Sequence, residues 1–201
     1  VYSRDETKQF ELMHEIGKTA PVNFLVGDVR DKERLNMAME NIDIVFHAAA
    51  LKHVVSCENN PFEAVKTNVQ GTQNVIDCAY ANQVDKVVMI STDKAAQPVN
   101  LYGSTKLCAE RLFVSGNFYA PGGAKFSAVR YGNVIGSRGS LVESLLRQKG
   151  VKKVNITDER MTRFWITLEQ SFNLVSFALE NMAGGEIFIP KLPSIRIVDL
   201  A

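Results

Sequence analysis

Lys86-Val87-Val88-Met89-Ile90-Ser91-Thr92-Asp93-Lys94 is the stretch whose reading decides the fold. Its first five residues form a near-continuous apolar, β-branched run, without the alternation of a strand that has one wet face. Such a run fits a strand buried on both sides, as in a parallel sheet flanked by helices. It then stops in four polar residues. In open parallel sheets the carboxyl ends of the strands are where ligands bind.

Working outward, similar apolar runs of strand length occur at 22–26, 42–46 and 126–130, and helical patterns fill 31–39, 61–81 and 102–118. Asp31 is placed to cap the first of these helices, and Pro61 suits the first turn of the second. Strands alternating with helices of this length predict right-handed βαβ units with helices on both faces, a doubly wound, Rossmann-like α/β fold. After Gly132 the pattern loosens. Gly132, Gly136 and Gly139 punctuate a loop, followed by a helix near 141–148, a short strand near 154–156, a helix over 168–182, Gly184-Gly185 and a strand over 186–189. We therefore expect a nucleotide-binding core over 1–135. Residues 136–201 form a mixed segment that contributes to a smaller substrate-binding region and returns elements to the sheet.

Val1 to Asp5 reads as the end of a strand running into a helix, and 195–201 as the start of another helix. The glycine-rich phosphate turn of this fold, which follows the first strand, is not found. Both features predict a fragment of a longer chain whose first strand and phosphate turn are missing, leaving an empty position in the sheet.

Composition narrows the partners. Lys+Arg 23 against Asp+Glu 22 gives a net charge of +1, with no electrostatic case for nucleic acid or a membrane surface. No apolar run approaches a membrane span, and no signal-peptide pattern is present. The three cysteines, Cys57, Cys78 and Cys108, have no zinc or CxxC spacing and suit a reducing cytoplasm. His14, His47 and His53 form no metal-binding motif, and His47 is read as a structural residue.

Five groups of residues could carry chemistry. Tyr102 and Lys106 stand four apart, so they share a helix face. An ammonium beside a phenol favours the phenolate and lowers a pKa that starts at about 10. A phenol so poised can take a proton from an alcohol as hydride leaves the same carbon. Asp93-Lys94 sets an acid beside a base at a strand end. Ala48-Ala49-Ala50 ends another strand in small side chains that let a flat ligand approach the backbone. Asp28 can accept from an adenine amino group. Ser3-Arg4 occupies the strand end that carries an acid in NAD sites and Arg in NADP sites, which predicts NADP over NAD.

Together these stretches resemble the extended short-chain dehydrogenase/reductase superfamily, and within it the inverting UDP-N-acetylglucosamine 4,6-dehydratases. The resemblance runs through 1–6, 27–31, 47–54, 91–96, 100–106, 129–134, 156–158 and 161–166. It implies a lyase that cycles NADP internally and acts on UDP-N-acetylglucosamine for pseudaminic acid and surface polysaccharide synthesis. Thr92 would hold the substrate near its C4 oxygen, Tyr102 would be the base for C4 oxidation, and Lys106 its helper and a ribose ligand. Asp93 would protonate the departing C6 hydroxyl, and Lys94 would be the base at C5. Val29, Lys52, Asn68 and Tyr131 join Ser3, Arg4, Asp28 and Ala48–Ala50 as expected cofactor neighbours. Lys52, Thr92, Asn133 and Arg163 are expected at the substrate. Retaining, membrane-anchored relatives typically have Met where this chain has Tyr102, which favours the inverting branch. The helices over 61–81 and 102–118 resemble the pair with which relatives build an oligomer. A 4-epimerase, a retaining dehydratase and a non-catalytic NADP-binding module remain open alternatives.

Overall fold

The computed structural model describes residues 1–17, 19–119, 122–137, 143, 156 and 158–199. The helix expected near 141–148 and the strand near 154–156 lie outside the described residues, apart from Glu143 and Ile156.

Strand β4 (Lys86–Thr92) runs parallel to β3 (Ile44–His47) on one side and to β5 (Lys125–Tyr131) on the other. Beyond β5 lies β8 (Ile187–Phe188), also parallel, so the order is β3-β4-β5-β8. The near-continuous apolar run of β4 is explained by its two covered faces. Val87 and Met89 join one core with Val75, Ile76, Ala109, Phe113, Phe126 and Ala128. Val88 turns the other way and packs with Val129, Ala178 and Met182. The first face is covered by α5 (Gly71–Ala81) and α6 (Leu101–Gly116), the second by α7 (Leu168–Asn181). The chain is thus an α/β protein with a parallel sheet between helical layers.

The helix starts follow from their caps. Asp31 accepts from Arg34 N at the head of α2 (Lys32–Ala38), and Asn100 accepts from Gly103 N at the head of α6. Thr167 and Gln170 close a reciprocal capping box on α7. The pattern over 61–81 becomes Pro61–Val65 (α4), a π turn at Lys66–Gln70, and α5. The two short strands β1 (Tyr2–Ser3) and β2 (Leu25–Val26) form a separate parallel pair, with α1 (Glu6–Ile16) between them in the chain. Tyr2 carries this pair onto the first core. A Cβ on Gly27 would fall 2.3 Å from the Tyr2 ring, so the turn after β2 requires glycine. Among the described residues, β1 pairs only with β2, and β3 only with β4.

Four differences from the sequence pattern stand out. The run over 22–26 forms a strand only at its last two residues, because β1 offers two residues to pair with. The stretch after 194 is not a helix start: Ser194–Arg196 is a strand (β9) antiparallel to β7 (Thr162–Ile166), followed by a 3-10 turn at Ile197–Asp199. Pairing with a distant strand overrides the local preference there. β7 also pairs, in parallel, with β6 (Asn133–Val134), so a second three-stranded sheet stands beside the first. A short helix, α3 (Val54–Asn59), was likewise not expected.

Candidate active site

The end of β4 turns at once into a single 3-10 turn, Asp93–Ala95. Thr92 caps that turn: its hydroxyl accepts from Lys94 N at 3.4 Å and donates to Asp93 Oδ1 at 3.0 Å. The Lys94 ammonium lies 3.0 Å from the same Asp93 oxygen and 3.4 Å from Asn133 Oδ1. The sheet topology therefore brings Asn133, from β6, to the acid–base pair. The two side chains of the pair are partly open, 24% for Asp93 and 32% for Lys94. They can be reached by a ligand, yet are shielded enough for their charges to be felt.

Tyr102 stands in the first turn of α6, directly under this turn. The approach is close: a Cβ on Gly103 would meet the Lys94 carbonyl oxygen at 2.2 Å, so glycine is what lets the helix start there. Burial pushes the Tyr102 phenol above its ordinary value, the Thr92 hydroxyl opposes this, and the Asp93 carboxylate adds to it. The sequence pattern predicts a phenol lowered by Lys106. In the structure the Lys106 ammonium instead donates to the Ile90 carbonyl at 2.8 Å, and desolvation dominates at Tyr102. Lys106 itself is buried, and burial lowers its pKa to about 8, with Glu110 working the other way.

Below this pair lies a layer of satisfied polar groups. The Thr72 hydroxyl donates to Asn68 O, so His47 Nε2 is the donor in its 2.9 Å contact with Thr72 Oγ1. His47 is 3% exposed, and burial, aided by the Lys106 charge, lowers its pKa to about 3. It is a neutral core residue stacked on Phe113. Asn68, in the π turn, accepts from Leu51 N and donates to Leu51 O and Thr105 Oγ1. Its side chain is spent on tying the loop after Ala48–Ala50 to α6. Ala48 and Ala49 are exposed and Ala50 half-buried at the end of β3.

At the ends of β1 and β2, the Asp28 carboxylate accepts from Arg30 N, Nε and Nη2 and from Arg4 Nη1. Burial alone would raise the Asp28 pKa, but the Arg30 hydrogen bonds and the two guanidinium charges hold it below the usual range. Val29 is buried beside it, and Ser3 Oγ accepts from Asp5 N. Lys52 is exposed. Tyr131, at the end of β5, is half-buried, and burial raises its pKa. Arg163, in β7, donates to the Thr162 carbonyl at 2.8 Å, and no hydrogen bond found among the described residues links it to Lys94 or Asn133. A cavity of about 210 Å³ opens next to Asp93, lined by Tyr131, Gly132, Phe164, Pro190 and Leu192 among others. The larger groove, about 460 Å³, lies against Phe10, Met13 and Phe24 and holds none of these polar residues.

Sequence reasoning missed one feature of this layer. Glu110, fully buried on α6, accepts from Arg130 Nε at 2.8 Å, forms a second bond to Arg130 Nη2, and accepts from Ser91 Oγ. The available signals were an acid four residues after Lys106 and an arginine inside an apolar strand.

The fold and the site together define a parallel α/β protein with an acid, two lysines and a tyrosine gathered at the carboxyl end of its central strand. Residues 1–201 match the family described as polysaccharide biosynthesis protein, and the chain belongs to that family. It is 53% identical over its whole length to a UDP-N-acetylglucosamine 4,6-dehydratase (inverting) of Campylobacter jejuni, of which it covers 61%. It is 41% identical, again over its whole length, to a UDP-glucose 4-epimerase of Rickettsia prowazekii, covering 59% of it. The X-ray structure of Pen from Bacillus thuringiensis superposes on all of the chain with a TM-score of 0.95 at 48% identity, the chain covering 64% of it. The chain thus spans about three fifths of the length of the curated relatives it matches.

Proposed function

We propose that the protein containing this chain is an inverting UDP-N-acetylglucosamine 4,6-dehydratase with a tightly held nicotinamide dinucleotide. The observation that carries the reading is the cluster at the end of β4: Asp93, Lys94 and Thr92 bonded to one another, with the Tyr102 phenol near enough to feel the Thr92 hydroxyl and the Asp93 carboxylate. A simple alcohol oxidation needs a phenol and a lysine. An elimination also needs a base at C5 and an acid at C6, and Lys94 and Asp93 supply both within one turn.

The residues present fit such a cofactor. The Lys106 ammonium is buried with the Ile90 carbonyl as its hydrogen-bond acceptor, which leaves donors for ribose hydroxyls. Small side chains at Ala48–Ala50 leave the backbone open, and Val29 and Tyr131 flank the strand ends. Arg4, half-exposed beside Ser3, favours a 2′-phosphate and hence NADP. The bound dinucleotide supplies hydride removal at C4 and return at C6, so the overall reaction is redox-neutral. Tyr102 takes the proton from the C4 hydroxyl. Passing one proton across their 3.0 Å contact turns the Lys94–Asp93 ion pair into a neutral amine and a carboxylic acid. With C5 acidified by the C4 ketone, the amine removes the C5 proton while Asp93 protonates the departing C6 oxygen. Returning the C5 proton from the opposite face inverts that centre. Asn133 holds Lys94 in place, and Lys52 and Arg163 serve the sugar nucleotide.

In the complete protein, a strand between the free edges of β1 and β3 would join the two sheets into one doubly wound, Rossmann-like sheet and bring the phosphate turn. We assign the protein to the cytoplasm and to a homo-oligomer built on α4–α6, with a role in pseudaminic acid and surface polysaccharide synthesis. Among the described residues no helix is long and apolar enough to cross a membrane. The 41% identity to a 4-epimerase supports a second reading, in which Tyr102 and Lys106 act alone.

Incubating the complete protein with UDP-N-acetylglucosamine and following the product by NMR and mass separates the two: elimination leaves a 4-keto-6-deoxy sugar one water lighter, epimerisation an isomer. Lys94→Met should abolish exchange of the C5 proton with deuterated solvent and stop product formation while both ligands still bind. Exchange at the parent rate would remove Lys94 from its role.

A further inference from the structure

Glu110 is a buried carboxylate to which the chemistry above gives no task. It sits four residues after Lys106, and its partners are the residues immediately before Thr92 and Tyr131: Ser91 on β4 and Arg130 on β5. One side chain thus ties together the three elements that carry the candidate site, at the level of the Lys106 ammonium. We propose that Glu110, held by Arg130 and Ser91, is the positioning residue of the Tyr102–Lys106 pair: it fixes the seat of α6 on β4 and β5 and is the buried counter-charge that keeps Lys106 protonated.

The geometry is specific. Lys106 is 3% exposed, and its hydrogen-bond acceptor is the neutral carbonyl of Ile90. Burying an ammonium against a neutral acceptor favours loss of its proton. His47 on β3 is neutral and feels the Lys106 charge without offsetting it. Asp93, Tyr131 and Cys57 act on Tyr102. The π turn presents Asn68, bonded to Thr105 beside Lys106. Glu110 is the group whose charge offsets the desolvation of Lys106. Arg130 pairs both Glu110 oxygens and so fixes the orientation of the carboxylate. Arg130 is also why a neutral residue would not serve at 110, since its guanidinium needs an acceptor there.

The inference rests on the proposed function for its meaning in catalysis, but its first readout does not need turnover. In the complete protein labelled with [ε-13C]lysine, the Lys106 resonance is titrated by NMR, with Lys106→Arg to assign it. Glu110→Gln is expected to lower the Lys106 pKa by about one unit. Because this variant leaves Arg130 facing an amide, Glu110→Gln/Arg130→Met is measured alongside: it keeps an acceptor for Ser91 and strands no charge. A smaller downward shift is expected in it, because the Arg130 charge leaves together with the carboxylate. An unchanged Lys106 titration in a folded variant overturns the proposal, whatever happens to activity. In the turnover assay with UDP-N-acetylglucosamine, kcat of both variants should fall at least tenfold with KM within twofold. The alkaline limb of the pH–rate profile should move down by the same shift as the titration. A parent protein that does not turn the substrate over counts against the proposed function and leaves the Lys106 titration to decide the role of Glu110. A shifted titration with an unshifted alkaline limb would show that Glu110 sets the lysine's charge but that the reaction does not depend on it, and would sink the positioning role.

Discussion

Two arginine–carboxylate clusters in this molecule use the same chemistry at different depths. Under the site, Glu110 is fully buried and binds Arg130, whose side chain is 17% exposed. At the ends of β1 and β2, Asp28 binds Arg30 and Arg4, and Arg30 also reaches Glu63, itself 45% exposed. In both, an arginine gives more than one hydrogen bond to a carboxylate. The difference lies in what water can do when one is broken. At the surface, solvent replaces a lost partner, and the pair is worth little. In the core nothing replaces it, and the stranded charge carries its full desolvation cost.

The same substitution in both clusters gives the sharpest contrast. Arg130→Met leaves the Glu110 carboxylate buried with Ser91 as its remaining side-chain partner, and should cost about 3–5 kcal/mol. Urea unfolding monitored by circular dichroism would measure it. A loss below about 1 kcal/mol would mean that Glu110 takes up a proton or finds water at little cost, and that depth is not what separates the clusters.

The clusters also differ in how visible they are in the sequence. Asp28, Arg4 and Arg30 lie in loops and strand ends where charged residues are expected, and the sequence pattern marks Asp28 and Arg4 as site candidates. Arg130 stands out as a charge at the end of an apolar strand run, but Glu110 looks like one more surface charge until the fold buries it, because burial on a given helix face cannot be read from one acid in a mixed stretch. The acid–base cluster was legible for the opposite reason. Thr92, Asp93, Lys94, Tyr102 and Lys106 fall within fifteen residues, so local signals such as the apolar run of β4, the cap at Asn100 and the four-residue spacing place them together. Asn133 reaches Lys94 only through the pairing of β6 with β7, a contact the chain pattern does not encode. The second sheet was missed on the same ground: β7 and β9 pair Thr162 with Arg196 across more than thirty residues, and neither strand shows a clean alternation.

His47 extends the contrast to a group that is buried and neutral. Its folded pKa of about 3 lies well below the unfolded value of about 6.5. The unfolded chain therefore binds a proton that the folded chain refuses across this window. Stability is full above the unfolded value and falls as pH drops from about 6.5 toward 3, by a few kcal/mol in total. Urea midpoints taken between pH 7 and 4 should decline with a slope approaching one proton, and His47→Gln should remove that part of the slope. A wild-type midpoint flat across this range would show that the imidazole is hydrated or charged in the folded state.

The smallest expected effect belongs to the surface cluster. Arg30→Met removes two side-chain hydrogen bonds to Asp28 and the pair with Glu63, yet the backbone N–H of residue 30, Arg4, Lys66 and solvent remain to serve the two carboxylates. Burial raises the Asp28 pKa, and the hydrogen bonds and charges of Arg30, with the charge of Arg4, bring it below the unfolded value. A depressed carboxylate contributes stability above its unfolded pKa of about 3.9 and loses it as pH falls through the lower folded value. At neutral pH the substitution should cost no more than about 1 kcal/mol, since Arg30 is about a third exposed and solvent screens the pair. The deficit should shrink as pH falls below about 3.9, where protonation of Asp28 removes the same interaction from the parent. Salt should act in the same direction, because an exposed pair is screened at high ionic strength and the Glu110–Arg130 pair is not. Parallel urea titrations of Arg30→Met and Arg130→Met at low and high salt read both clusters at once. If the Arg30→Met deficit exceeds that of Arg130→Met, or fails to shrink in salt, depth is not the variable that ranks them.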